Sequence, residues 1–182
     1  MVIFKVGEFQ VADKLVDKII AIFGGLAALK YGKELLVFII SILPILELRG
    51  GLIAARLLNL NPVPAYVISI VGNILPIPFI LLFITKIMDW MRKSKVSAFN
   101  KFVNWLDGKV EKNKAQIEKY GYLGLILFVG IPLPGTGAWT GCLIASVLEL
   151  DKKKSFGAAM VGVFLASIIM MIITYLIPAL IK

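Results

Sequence analysis

Four apolar stretches, residues 35–60, 63–85, 122–148 and 156–181, are each close to the length that crosses a bilayer, and the first and third are broken from within by proline. A hydrocarbon core of about 30 Å takes about 20 apolar residues in helical form. Lipid offers no partner to a freed backbone N–H or C=O, so a helix broken at that depth has to be enclosed by protein or by a watery cavity. With 59% hydrophobic residues among 182, the chain is too apolar for an ordinary soluble domain. An all-α polytopic membrane protein is expected, with residues 1–182 forming one membrane domain.

The lysines and arginines behind the formal charge of +9 lie mostly beside the apolar stretches, where anionic headgroups meet them. Membrane lipids, and not nucleic acid, are therefore the expected partners. Cys142 is the sole cysteine and histidine is absent, which excludes an intrachain disulfide and removes the commonest metal ligand. No metal, cofactor or enzymatic chemistry is expected, since no nucleophile–base pair is evident. The opening MVIFKVGEFQVADK carries acidic residues and lacks an apolar core followed by a small-residue cleavage site, so no secretory signal peptide is predicted.

Sliding the chain against itself by 90 positions aligns Phe38 with Phe128, Pro44 with Pro134, Gly51 with Gly141 and Gly72 with Gly162, and sets Asn61 opposite Asp151. The register holds without a gap. Each half then reads as a proline-broken apolar segment, a turn and a longer apolar segment. In the first half, residues 35–43 make about 14 Å of helix and 45–58 about 21 Å, so neither piece crosses alone. A single Pro-kinked helix and a re-entrant hairpin both accommodate these lengths. Charge placement favours the hairpin, because it puts the lysine-rich connector 86–119 and the turn 151–154 on the same, cytoplasmic side. The halves are then inverted.

The remaining segments look interfacial. Residues 1–33 contain a helix with Asp13, Lys14, Asp17 and Lys18 on one face and Leu15, Ile19, Ile22, Phe23 and Leu26 on the other. Residues 86–120 form a basic amphipathic connector in which Phe99, Phe102, Val103, Leu106 and Val110 recur at helical spacing, with Trp90 and Trp105 as aromatic anchors. The expected organisation is that N-terminal helix, a first repeat over 34–85, the connector, and a second repeat over 121–182, multi-pass in the cell membrane.

Within LPILELRGGLIAAR, Glu47, Arg49 and Arg56 are the charged side chains placed well inside an apolar stretch. A central charge costs about 2.5–3.5 kcal/mol on insertion scales, so such groups pair, face water or reach an interface. Glu47 and Arg49 lie about 200° apart on a regular helix, so Glu47 is expected to meet another element. It is the acid placed to carry a proton within the membrane. Arg49 suits an anion, because a guanidinium holds phosphate bidentately without losing its charge. Arg56, three residues from the turn, either joins this site or snorkels to the interface.

The third stretch, LFVGIPLPGTGAWTG, supplies a complementary half. Pro132 and Pro134 interrupt the helix, as Pro44 does in the first half, while Gly135 and Gly137 permit tight turns and close backbone approach. Amides after Gly135 at a helix N-terminus suit an anion, Thr136 and Thr140 add hydroxyls, and Trp139 lines the path. The symmetry sets PLPGTG opposite LPILELR, so the broken segments are expected to meet tip to tip near the midplane, with Asn73 facing the same centre.

The LPILELRGG and IPLPGTGAWTG motifs resemble the signature stretches of the small multidrug export protein family, which is distantly similar to the DedA superfamily of membrane proteins. The likeness runs from Glu34 to about Ile177. It implies opposed re-entrant hairpins and proton-linked movement of a lipid phosphate such as polyprenyl phosphate, with Glu47 as the acidic residue after the first broken helix and Pro134-Gly135-Thr136 at the second turn. DedA proteins place arginines around that turn, whereas residues 130–141 contain none. The expected function is a proton-coupled secondary transporter or lipid flippase for an anionic lipid phosphate. A proton-coupled exporter of small hydrophobic cations and a non-transporting membrane organiser remain alternatives, and a homodimer stays open.

Overall fold

The computed structural model describes residues 7–94, 96–133 and 135–180, and every regular element among them is helical. Pro134 lies outside the described residues. The elements are α1 (Gly7–Ile22), α2 (Gly24–Ala27), α3 (Gly32–Ile42), α4 (Glu47–Leu57), α5 (Pro62–Ile74), α6 (Pro76–Lys93), α7 (Ser97–Gly130), α8 (Ala138–Val147), α9 (Lys152–Met171), a π-helical segment (Ile172–Leu176) and α10 (Ile177–Leu180).

Pro44 ends α3 by steric force on its predecessor. Leu43 is pushed to extended geometry, with ψ 135°, because the ring of a following proline clashes with helical backbone. The chain then reverses: Lys33, at the start of α3, donates to the Leu58 carbonyl at the end of α4 over 2.9 Å. α3 and α4 are therefore an antiparallel helical hairpin, not one kinked helix. Gly51 lets them close together, since a Cβ there would lie 1.9 Å from Ser41 Oγ.

The second broken stretch folds the same way. α7 leaves helical geometry at Gly121 (φ 57°, ψ −132°), which separates the connector from residues 122–130. Ile131, before Pro132, is extended with ψ 118°, and the helix resumes as α8. Tyr122 Oη accepts from Asp151 N at 3.2 Å, tying the start of this hairpin to its end. Gly141 packs into the facing helix, where a Cβ would stand 2.9 Å from both Leu125 Cδ1 and Val129 Cγ2.

Both hairpins leave through turns of one design. Asn59 (φ 52°) and Glu149 (φ 53°) adopt left-handed geometry. Two residues later Asn61 accepts from Val63 N at 3.0 Å and Asp151 from Lys154 N at 2.9 Å, each side chain capping the next helix. Those helices, Pro62–Lys93 (α5 with α6) and Lys152–Leu176, are the two among the described residues long and apolar enough to cross a membrane, each with mean hydropathy 2.5. Their outer faces carry exposed apolar stripes, Val63, Val67, Val71, Leu75 and Phe79 on one and Val161, Leu165, Ile168, Ile172 and Leu176 on the other. Contiguous apolar surface of that extent belongs against lipid.

The inner faces build the core. Leu48, Leu52, Ile77, Leu125, Phe128, Ile144 and Met170 are buried in one cluster that joins both hairpins to α6 and α9. A smaller cluster of Val37, Ile40, Ala54 and Ala65 receives Val16 of α1. The apolar face of α1 therefore centres on Val16, with Leu15 and Ile19 partly buried, while Ile22, assigned to that face from periodicity, is exposed. On the connector Val103, Leu106 and Val110 turn inward, and Phe102 and Trp105 stay partly exposed.

Candidate functional site

A broken helix leaves carbonyls without partners on one side of the break and amides without partners on the other. In the second hairpin the first hairpin supplies both. Glu47 Oε2 accepts from Ala138 N at 3.1 Å and Oε1 from Trp139 N at 3.0 Å, so one carboxylate caps the N-terminus of α8. Two residues on, Arg49 Nη1 donates to the Leu133 carbonyl at 2.7 Å, and Nη2 reaches Thr136 Oγ1 at 3.1 Å and the Ile131 carbonyl at 3.5 Å. Negative charge meets the positive end of one helix dipole and positive charge follows the negative end of the other. The Thr136 hydroxyl adds to the same cluster, 2.7 Å from the Leu133 carbonyl and 3.0 Å from that of Ile131.

The second hairpin reciprocates. Trp139 Nε1 donates to the Ile42 carbonyl at 3.0 Å, on the last residue of α3. Each break is thus closed by side chains from the other hairpin, and the two breaks meet. Glu47 is 4% exposed and starts α4 with a left-handed φ of 52°. Opposite it Gly137 has φ 136° and ψ −179°, and a Cβ there would stand 2.3 Å from Glu47 Oε2 and 2.6 Å from Oε1. Only glycine combines that backbone with that approach.

The sequence-derived site residues distribute unevenly over this geometry. Glu47, Arg49, Thr136, Gly137 and Trp139 come together; Gly135 (φ 77°) makes the turn and Pro132 lies in the break beside it. Arg56 does not join them: it is exposed on α4, and its Nη1 donates to the Thr174 carbonyl in the π-helical segment. Asn73 is buried on α5 at 1% exposure, with neither amide atom bonded among the described residues. The amides following Gly135, expected to stand ready for an anion, are occupied by Glu47, and Arg49 is likewise committed to carbonyls. The repeat register alone foreshadows one of these contacts, because Gly137 falls 90 positions from Glu47.

Beside the junction runs a narrow apolar cleft with about 20 Å³ of free space, lined by Pro44, Trp139 and Thr140 of the hairpins, Ile84 of α6, and Phe102 and Trp105 of the connector. Sequence periodicity placed Phe102 on the apolar face of an interfacial connector and Trp105 as an aromatic anchor, and neither in a cleft, because the covering of the hairpin tips depends on how α7 folds back. The cleft is apolar and aromatic, and Trp139 joins it to Glu47 through its backbone amide.

A family model described as "putative small multi-drug export protein" matches residues 47–169, well over half of the chain. The chain belongs to that family. The matched region begins on Glu47, at the start of α4, and takes in Arg49, the whole second hairpin, the cleft residues other than Pro44 and most of α9. With two membrane-length apolar helices beside it, the match makes this a membrane protein of an export family. No curated protein and no solved structure matches the chain.

Proposed function

We propose that this protein is a proton-coupled secondary transporter in which the junction of the two hairpins is the gate. The observation that carries the reading is the buried carboxylate of Glu47 holding the amides of Ala138 and Trp139 across that junction. Ionised, it links the hairpins. Protonated, it loses the charge that caps α8, and two amides and the nearby Arg49 guanidinium become available to an incoming anion. An anionic lipid phosphate, polyprenyl-phosphate-like, is the cargo in this reading, as the likeness to DedA proteins implies. The hairpins are re-entrant halves of an inverted repeat whose tips lie near the midplane, and the connector and the turn 151–154 face the cytoplasm of a multi-pass cell-membrane protein. The 90-residue register supports this arrangement, since the turns at Asn59 and Glu149 and the caps at Asn61 and Asp151 recur along it.

A second cargo is favoured by the cleft. Its aromatic lining of Phe102, Trp105 and Trp139, next to a carboxylate, suits a small lipophilic cation once the hairpins part and widen a cleft of about 20 Å³, in keeping with the description of the family. Reconstitution in liposomes with and without a pH gradient tests both cargoes, using a fluorescent polyprenyl phosphate in one arm and a lipophilic cationic dye in the other. Glu47→Gln should abolish gradient-driven transport of either; a wild-type rate would refute the proton role. Arg49→Ala should stop the phosphate and spare the cation.

A further inference from the structure

We propose that the seam between α3, α4 and α5 is a water-holding pocket that delivers protons to Glu47 from the side on which the first hairpin is rooted, while the matching seam of the second hairpin is dry. This rests on Glu47 as the proton carrier and adds the route and its sidedness. Ser69 Oγ and both amide atoms of Asn73 are buried without a hydrogen-bond partner among the described residues. The two side chains lie one turn apart on one face of α5. Ser41 closes the group, for the Cβ position of Gly51 lies 1.9 Å from Ser41 Oγ and 2.9 Å from Ser69 Oγ, so the two hydroxyls flank the Gly51 backbone.

The group sits deep. Gly51 is one helical turn, about 6 Å, from Glu47. α5 runs back alongside α4 and regains the depth of Glu47 after a matching number of residues, near Asn73. Buried polar groups of this kind are satisfied by internal water. Water also fits the chemistry best, because Asn73 presents a donor and an acceptor together, and a bound cation would leave Nδ2 unpaired.

The second half provides the contrast at each equivalent position. Ninety residues on from Ser41, Ser69 and Asn73 stand Ile131, Ala159 and Val163. The three atoms nearest the Cβ position of Gly141, equivalent to that of Gly51, are all carbon: Leu125 Cδ1 and Val129 Cγ2 at 2.9 Å and Phe128 Cδ1 at 3.4 Å. Ser155, a buried hydroxyl without a partner among the described residues, lies in the first turn of α9, at the base and not at the tip. The titratable groups facing Glu47 are Arg49 on its own helix and the Cys142 thiol on α8. A proton arriving as hydronium passes along hydrogen-bonded water in the seam and ends on a Glu47 carboxylate oxygen, leaving neutral water behind.

Substituted-cysteine labelling tests this on the full chain in liposomes. In a Cys142→Ala background, Ser69→Cys and Asn73→Cys should be oxidised by hydroxyl radicals generated from water in place at least about tenfold faster than Ala159→Cys and Val163→Cys, all four positions being closed to bulk reagent, because a buried thiol meets such a radical only where water lies beside it. Equal reactivity at all four positions, or inert cysteines at 69 and 73, overturns the wet pocket. Asn73→Leu combined with Ser69→Ala should slow gradient-driven flux at least about tenfold, and undiminished flux overturns the delivery role. The two readings fail separately: wild-type flux in Glu47→Gln refutes the proton role of Glu47, whereas equal thiol reactivity refutes the pocket.

Discussion

Gly137→Ala is the sharpest probe of how the two hairpins are joined. The backbone there, φ 136° and ψ −179°, lies in a region that is essentially glycine's own, and a residue with a side chain pays about 1–3 kcal/mol of strain to adopt it. The added methyl would also stand 2.3 and 2.6 Å from the Glu47 oxygens, so the carboxylate has to move. Moving it breaks its bonds to Ala138 N and Trp139 N, each charge-assisted and worth about 1.5–3 kcal/mol. The expected loss is about 4 kcal/mol or more, a large part of a typical folding free energy of about 5–15 kcal/mol. Gly121→Ala is the control: its φ of 57° and ψ of −132° carry comparable backbone strain, but nothing lies within 4 Å of the Cβ position. Unfolding in detergent can be followed through the single cysteine, Cys142, which is 0% exposed and becomes reactive as the core opens. Gly137→Ala should lose about 3 kcal/mol more than Gly121→Ala, and the excess should vanish when both are made in Glu47→Ala. Equal losses, or an excess that survives without Glu47, would refute the argument.

Further outcomes follow from the same geometry. Trp139→Phe keeps the ring but removes the donor to the Ile42 carbonyl, and should cost about 1 kcal/mol in the same unfolding assay. On α9, Gly162→Ala should destabilise by about 1–3 kcal/mol, because its Cβ would lie 2.6 Å from Val129 Cβ and 3.0 Å from the Ile126 carbonyl. Gly157→Ala, with nothing within 4 Å, should be neutral or gain up to about 1 kcal/mol; effects of the same sign and size would contradict the packing. Arg92 holds Asp107 through two contacts of 2.7 and 2.8 Å, yet both side chains are about half exposed, at 50% and 42%. Asp107→Asn should therefore cost only about 0.2–1 kcal/mol, and less as salt is raised.

The junction also explains why charged residues are tolerated within an apolar stretch. Glu47 and Arg49 do not pair across one turn of α4; each answers an unmet backbone group of the opposite hairpin. Removing Glu47 leaves the buried N-terminus of α8 uncapped, whereas the Ile131 and Leu133 carbonyls that Arg49 takes lie on exposed residues, so stability is coupled most closely to Glu47.

The sequence by itself determined the class of molecule: block length, hydropathy and the placement of lysine beside apolar stretches leave few options but a helical membrane protein, because lipid allows little else. It also marked where the breaks could fall, since a proline disfavours helix in its predecessor, although Leu75 before Pro76 stays helical whereas Leu43 and Ile131 leave it. The three charges of the first broken stretch were equally legible, as charge in an apolar run demands a partner. Which partner was not. That Glu47 takes the Ala138 and Trp139 amides, that Arg49 takes the Leu133 carbonyl, and that Arg56 goes instead to Thr174 all depend on contacts more than 80 residues apart in sequence. Local pattern carries no record of such distances. The same holds for the seam of Ser41, Ser69 and Asn73, whose polar atoms look incidental along the chain and become a group only when Gly51 lets α3, α4 and α5 close on one another.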